Sequence, residues 1–488
     1  MANSGFEGIP MSEGSHLKTT NDRYFTYQGK PVYVLGSGME GVGREQAYDL
    51  AGWKKYIELL AAHQFGKAKF RIRFFPWGFC WNQTAIRAVE CPWEIREAAR
   101  HTYNLHNFST EYWAMVKRIA AYAERKGVLL EYVLFDACSI SEYCKVWVNH
   151  PWNANHGNGG MIVNGVTGID DFYAFHDCGD FNLFAQEWKD DWTWQKKNQY
   201  HQQRYVKKAV DELAGRRNVH WDICNEISGR NYPKVPPDKP VADYLKHWIG
   251  FLQRHDPNHN LIGSSTYWAA NQEIGSYWGM DMILPHLEAH RHDANDFVHD
   301  STKALWDIGK PVIFDEYVGG YDQDTDHTTW MVERWDFWHA FVSEGHMTGR
   351  CWGRFKERPF HNWMLHFCRF IEGTDFVSMR SHDELVLGLP SGLFQHTLAS
   401  PGREYIIYFT TPVDRPRFGG GFVQMELESG LFTLRFYNPR KGEYYGRISL
   451  EQPEKGKRKI KVPAFAEDCV LHMVATKGHD RWRINDAM

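Results

Sequence analysis

Residues 218–226 read Asn-Val-His-Trp-Asp-Ile-Cys-Asn-Glu, a buried-strand pattern that ends in a carboxylate. Residues 311–317, Pro-Val-Ile-Phe-Asp-Glu-Tyr, repeat the design. Apolar runs of this length suit strands covered on both faces, as in a parallel sheet. Two such strands deliver two acids, Glu226 and Glu316, to one rim of that sheet.

Outward from these two runs, further strand-like segments lie at Val32–Gly36, Ala68–Phe75, Val128–Phe135, Asn260–Ser264, Asp281–Pro285 and Thr348–Trp352. Helical patterns separate most of them, for example at Tyr48–Gln64, Thr110–Lys126, Trp194–Ala214, Ala242–His255 and Thr328–Glu344. Strand–helix alternation through about residue 360 predicts βαβ units, and eight strands suit an α/β chain closed into a (β/α)8 TIM barrel over residues 1–375. Long insertions at about 137–185 and 228–240 follow the third and fourth strands, on the face where such barrels carry their chemistry. Beyond residue 375 the texture changes to short strands and turns, with Gly419-Gly-Gly421 and Asn438-Pro-Arg-Lys-Gly442 as turn chemistry. A small all-β sandwich over residues 376–488 is expected there.

Composition narrows the function classes. Hydrophobic residues make up 43% of the 488, enough for a large core, and a net charge of −4 gives no sign of nucleic-acid or membrane partners. Aromatics reach 15%, with 21 Trp, a surplus that suits flat apolar faces for stacking on sugar rings. The N-terminus lacks the basic and apolar regions of an export signal, and no run reaches the ~18 apolar residues of a membrane span. The nine cysteines are scattered and odd in number, so reduced thiols in a cytoplasmic chain are expected, although a removed signal would leave the same picture.

Facing carboxylates are the equipment for cutting glycosidic bonds, and the retaining mechanism needs them about 5–5.5 Å apart. The segment Trp221-Asp-Ile-Cys-Asn225-Glu226 resembles the Asn-Glu signature of clan A glycoside hydrolases, the cellulase-like retaining β-glycosidases typified by family 5. Pro311-Val-Ile-Phe-Asp-Glu316 resembles their strand-seven nucleophile segment. The resemblance implies Glu226 as acid/base, Glu316 as nucleophile and Asn225 as a hydrogen-bond partner of the sugar 2-hydroxyl. It implies that Arg73 holds the nucleophile, that His286 is the strand-six histidine, and that Trp352 floors the sugar subsite. The tyrosine that often follows that histidine by two residues is here Glu288, which with His290 is expected to bind substrate hydroxyls. The loop Trp147-Val-Asn-His-Pro-Trp152-Asn-Ala-Asn-His-Gly-Asn-Gly-Gly160 resembles one in a cellulase-like subgroup, and Glu404-Tyr-Ile-Ile-Tyr-Phe with Phe436-Tyr-Asn-Pro-Arg-Lys-Gly442 resembles the sandwich appended to it. Trp152 in that loop and Trp77 after the second strand are candidate sugar platforms.

Two signals compete. Gly36-Ser-Gly38-Met-Glu-Gly41 fits G-x-G-x-x-G, but the second strand ends without the acid that a dinucleotide ribose needs. His286-Leu-Glu-Ala-His290-Arg-His292-Asp293 is histidine-rich without the H-E-x-x-H spacing, so no metal is expected. The chain therefore reads as a cofactor-free retaining β-glycosidase acting on β-linked oligosaccharides or glycosides. Exo action is favoured over a glucanase- or mannanase-like endo enzyme, and a non-catalytic carbohydrate-binding protein is the alternative of another class. Oligomeric state stays open.

Overall fold

The computed structural model describes residues 16–20, 22–37, 49–75, 88–140, 147–153, 183–227, 239–267, 271–287, 296–317, 327–349 and 359–476. Its first part is an α/β fold. Lys30–Ser37 pairs in parallel with Ala68–Phe74, that strand with Leu129–Asp136, and the third with Val219–Asn225. Val219–Asn225 then pairs with Ile262–Gly263. The chain steps over Ser264 into Ser265–Tyr267, which pairs with Leu284–Leu287, and that strand with Glu316–Tyr317. Ile313–Phe314, one residue before Glu316–Tyr317, pairs with His346–Gly349, which pairs in turn with Lys30–Ser37.

The strand expected at Val219–Asn225 has those bounds. The strands expected at Asp281–Pro285 and Thr348–Trp352 are found at Leu284–Leu287 and His346–Gly349, and those expected at Asn260–Ser264 and Val312–Glu316 are each interrupted by one polar residue. Ser264 sends its hydroxyl to the Cys224 carbonyl, and Asp315 holds two arginines. Helices fill the connections. Thr110–Lys126 starts where the Ser109 hydroxyl accepts from the amide of Tyr112 and stops at Gly127, whose φ of 69° is the left-handed cap. Its buried Tyr112, Val116, Ile119 and Ala123 follow helical spacing, so one face meets the sheet. None of the described helices is long and apolar enough to cross a membrane.

Alternation along the parallel strands sorts the side chains into two populations. Phe70, Ile72 and Phe74 join the helices in the main apolar core. Val32, Val34, Leu129, Met282, Leu284 and Ile313 form a separate cluster with Leu17, Phe25 and Tyr27 of the N-terminal strands. Two residues beyond Leu129, Leu284 and Ile313 stand Glu131, His286 and Asp315, all fully buried. A period of two keeps each pair on one face, so that face changes from apolar to charged along the strands.

Residues 380–475 hold three antiparallel sheets, the smallest a pairing of Arg417–Phe418 with Phe465–Ala466. The largest runs in the order Arg380–Ser381, Phe394–Ser400, Glu404–Thr410, Asp468–Ala475, Gly430–Asn438 and Glu443–Gln452. The three-stranded one joins Val386–Gly388, Gly421–Leu427 and Gly456–Val462. Ile407 and Phe409 pack with Val423, Met425 and Leu434 in one cluster, while Ile406 and Tyr408 on the opposite face join the core of the α/β part. There Tyr408 stacks on Trp338 with ring centroids 5.3 Å apart, and Arg334 meets Asp468 at 2.7 and 3.0 Å.

Candidate active site

The charged face of the parallel strands is organised around two arginines. Arg71 and Arg73 point the same way from one strand, and both are buried. Arg71 ion-pairs with Glu131 and Asp315 and donates to Thr348 Oγ1 at 2.7 Å. Arg73 donates from Nε to Glu131 at 2.7 Å, and its Nη2 lies 2.8 Å from Asp315, 3.1 Å from Asp222 and 2.9 Å from Asn225 Oδ1. Its Nη1 reaches Glu316 Oε2 at 3.5 Å. Burial alone would discharge these groups; the opposite charges keep them ionised. Desolvation pushes the Asp315 carboxyl up, but Arg71, Arg73 and His286 together hold it well below the usual carboxylate range. His220, 3.1 Å from Glu131, is driven down to about 3 by burial and by Arg71, so it stays neutral.

At the rim, Asn225 and Glu226 end the fourth parallel strand. The Asn225 amide donates to Asp136 Oδ1 at 2.8 Å. Glu226 sits at φ 52°, a left-handed conformation that costs a non-glycine residue about 1 kcal/mol and concentrates at functional sites. The turn places its carboxylate against His286, whose Nδ1 is 3.4 Å from Glu226 Oε1 and 3.8 Å from Glu316 Oε2. Nε2 of the same ring is 3.7 Å from Asp315 Oδ2. Burial works against charge on His286, yet Asp315, Glu226 and Glu316 outweigh it and raise it to about 10, so the ring is an imidazolium at neutral pH. One oxygen of each glutamate and one nitrogen of His286 lie within 4.8 Å of one another. Glu226 is almost buried, whereas the Glu316 side chain is 31% exposed.

Glu226, Glu316, Asn225, Arg73 and His286 are thus brought together. Glu288, His290, Trp352 and Trp77 lie outside the described residues, as do positions 38–41 of the glycine-rich segment. Gly36 itself is explained by packing, since a Cβ there would run into the side chain of Thr348. Trp152, expected as a sugar platform, is instead fully buried against Trp93, Phe135 and His150, so it works as core. Sequence reading did not single out Arg71, Glu131, Asp136, Asp222, Ser265 or Asp315. Ionisable residues at every second position, as in Arg71/Arg73 and His220/Asp222, within otherwise apolar strands were the available signal.

A second group joins the α/β part to the C-terminal sheets. His299 Nε2 is 2.7 Å and His396 Nδ1 3.6 Å from Asp383 Oδ2. The two imidazoles stack at 3.7 Å with planes 15° apart. Rings stacked face to face direct their in-plane lone pairs side by side rather than at one point, which disfavours a shared ion. The trio is better described as a carboxylate shared by stacked histidines.

No family model matches the chain, and no curated protein matches its sequence. Solved structures do match in fold. A glycoside hydrolase superposes with a TM-score of 0.63 at 14% identity, over 97% of this chain and 99% of the other. A glycoside hydrolase family 5 protein from Bacteroides vulgatus gives 0.61 at 13% identity, over 97% and 96%. A GH27 β-L-arabinopyranosidase from Geobacillus stearothermophilus gives 0.53 at 11% identity, over 92% and 97%. The chain resembles family 5-type glycoside hydrolases. At such identities the likeness is one of fold, and it spans nearly the whole of each partner.

Proposed function

We propose that this chain is a retaining β-glycosidase, built as a (β/α)8 barrel over residues 1–375 with a β-sandwich over 376–488, acting on β-linked oligosaccharides or glycosides. Glu316 attacks the anomeric carbon while Glu226 protonates the departing oxygen, which leaves a glycosyl ester on Glu316. Glu226 then takes a proton from water, the water oxygen displaces Glu316, and the sugar leaves with its original configuration. The observation that carries the reading is that one oxygen of Glu226 and one of Glu316 lie within 4.8 Å of each other, which favours the short carboxyl separation of a retaining enzyme. The exposures agree with the roles, since a nucleophile must be reachable and a proton donor gains from partial burial. Arg73 and His286 place positive charge beside Glu316 and favour its ionised form.

The test is hydrolysis of aryl β-glycosides, with Glu316→Gly assayed in added azide. The expected product is the α-glycosyl azide, because azide enters from the face the nucleophile vacated. A β-azide would reassign the roles. No aryl release by the wild-type protein would leave sugar binding without catalysis as the reading to pursue. Product sizes from a long oligosaccharide separate exo from endo action.

A further inference from the structure

Asp136 and Asn225 close the pairing between two parallel strands, as direct partners across it. Both are nearly buried, at 3% and 5% exposure. The amide of Asn225 has an unambiguous orientation. A guanidinium can only donate, so Arg73 Nη2 at 2.9 Å must meet the oxygen; an ionised carboxylate can only accept, so Asp136 Oδ1 at 2.8 Å must meet the nitrogen. Asp136 is itself held. Its Oδ2 accepts from the Ser139 amide at 3.2 Å, and its backbone carbonyl accepts from the Ser139 hydroxyl at 2.8 Å, in the first turn of Ala137–Ile140. A primary amide carries two N–H groups. With one tied to Asp136 and the oxygen tied to Arg73, the remaining N–H has a single direction in which to point.

We infer that Asp136 is a positioning residue: by holding Asn225 through one N–H, it aims the other at the sugar 2-hydroxyl. This rests on the glycosidase reading above. Without Asp136 the amide keeps its anchor on Arg73 but can rotate about it, and the second N–H loses its aim. The contact to the 2-hydroxyl strengthens as charge develops at the anomeric carbon, so the loss falls on the transition state.

The experiment measures kcat/KM for an aryl β-glycoside and for its 2-deoxy analogue, and takes the ratio in each protein, so that the analogue's intrinsic reactivity cancels between variants. Asp136→Ala is expected to lower the ratio by about tenfold or more. Asp136→Asn, which keeps an acceptor oxygen for Asn225, is expected to stay within about threefold of wild type. On an Asn225→Ala background, Asp136→Ala should leave the ratio unchanged. If Asp136→Ala does not fold, Asp136→Glu serves instead, since it moves the carboxylate by one methylene and must also lower the ratio. A merely structural Asp136 would lower both rates together and leave their ratio alone, and that result overturns the inference while the glycosidase reading stands. Wild-type protein that releases nothing from either substrate overturns both.

Discussion

Nδ1 of His286 lies 3.4 Å from Glu226, while Nε2 of the same ring lies 3.7 Å from Asp315, the residue that precedes Glu316 in the chain. One imidazolium therefore joins the rim of the site to the buried charge layer beneath it.

Removing that charge should show in the pH profile. His286→Asn takes a cation away from both glutamates, so their ionisation becomes harder and the acid limb of kcat/KM should move up by about one pH unit. Stability carries the same signature. A histidine raised from 6.5 to about 10 contributes stability that is whole below pH 6.5 and lost as pH rises towards 10. The stability difference between wild type and His286→Asn should shrink over that window. An acid limb that does not move would show that His286 is not charged in the free enzyme.

Arg71 sits in the buried charge layer and neutralises Glu131 and Asp315. Arg71→Met should leave Glu131 and Asp315 sharing Arg73 as their remaining arginine in a fully buried layer, and cost about 3 kcal/mol. The urea unfolding midpoint reports this, and a midpoint equal to wild type would show that the layer rearranges without penalty.

Trp152→Ala distinguishes packing from sugar binding. A fully buried indole should cost about 3–5 kcal/mol of stability when truncated, with KM near the wild-type value in the folded fraction. Unchanged stability with a raised KM would restore the platform role.

Glu226→Gln should depend on the leaving group. Substrates whose leaving group needs no proton should still form the glycosyl ester, so a burst of aryl release is expected, followed by turnover slower by a factor of about 10² or more. Equal losses on activated and poor leaving groups would remove Glu226 from the acid role.

The legible parts of the sequence were those governed by local physics. Thr110–Lys126 and Glu404–Thr410 appear with their expected bounds, because a cap, a glycine stop and a clean periodicity define them. Glu226 and Glu316 were legible because each ends an apolar run. The charge layer was not, because its members come from strands far apart in sequence. Arg71 and Asp315 are separated by 244 positions, and nothing local to either announces the other. The strand expected at Val312–Glu316 is split for the same reason: Asp315 serves Arg71, Arg73 and His286, a tertiary demand that overrides local strand preference.

The contact between Arg334 and Asp468 bears on how this protein could have been inherited. Arg334 is fully buried on a helix of the α/β part, and Asp468, equally enclosed, begins a strand of the C-terminal sheet. Recombination that replaced the sheets with those of another lineage would leave a cation walled in apolar surroundings, unless the newcomer brought an acid to the same point. The two halves are therefore expected to descend together, as a matched couple rather than as exchangeable modules.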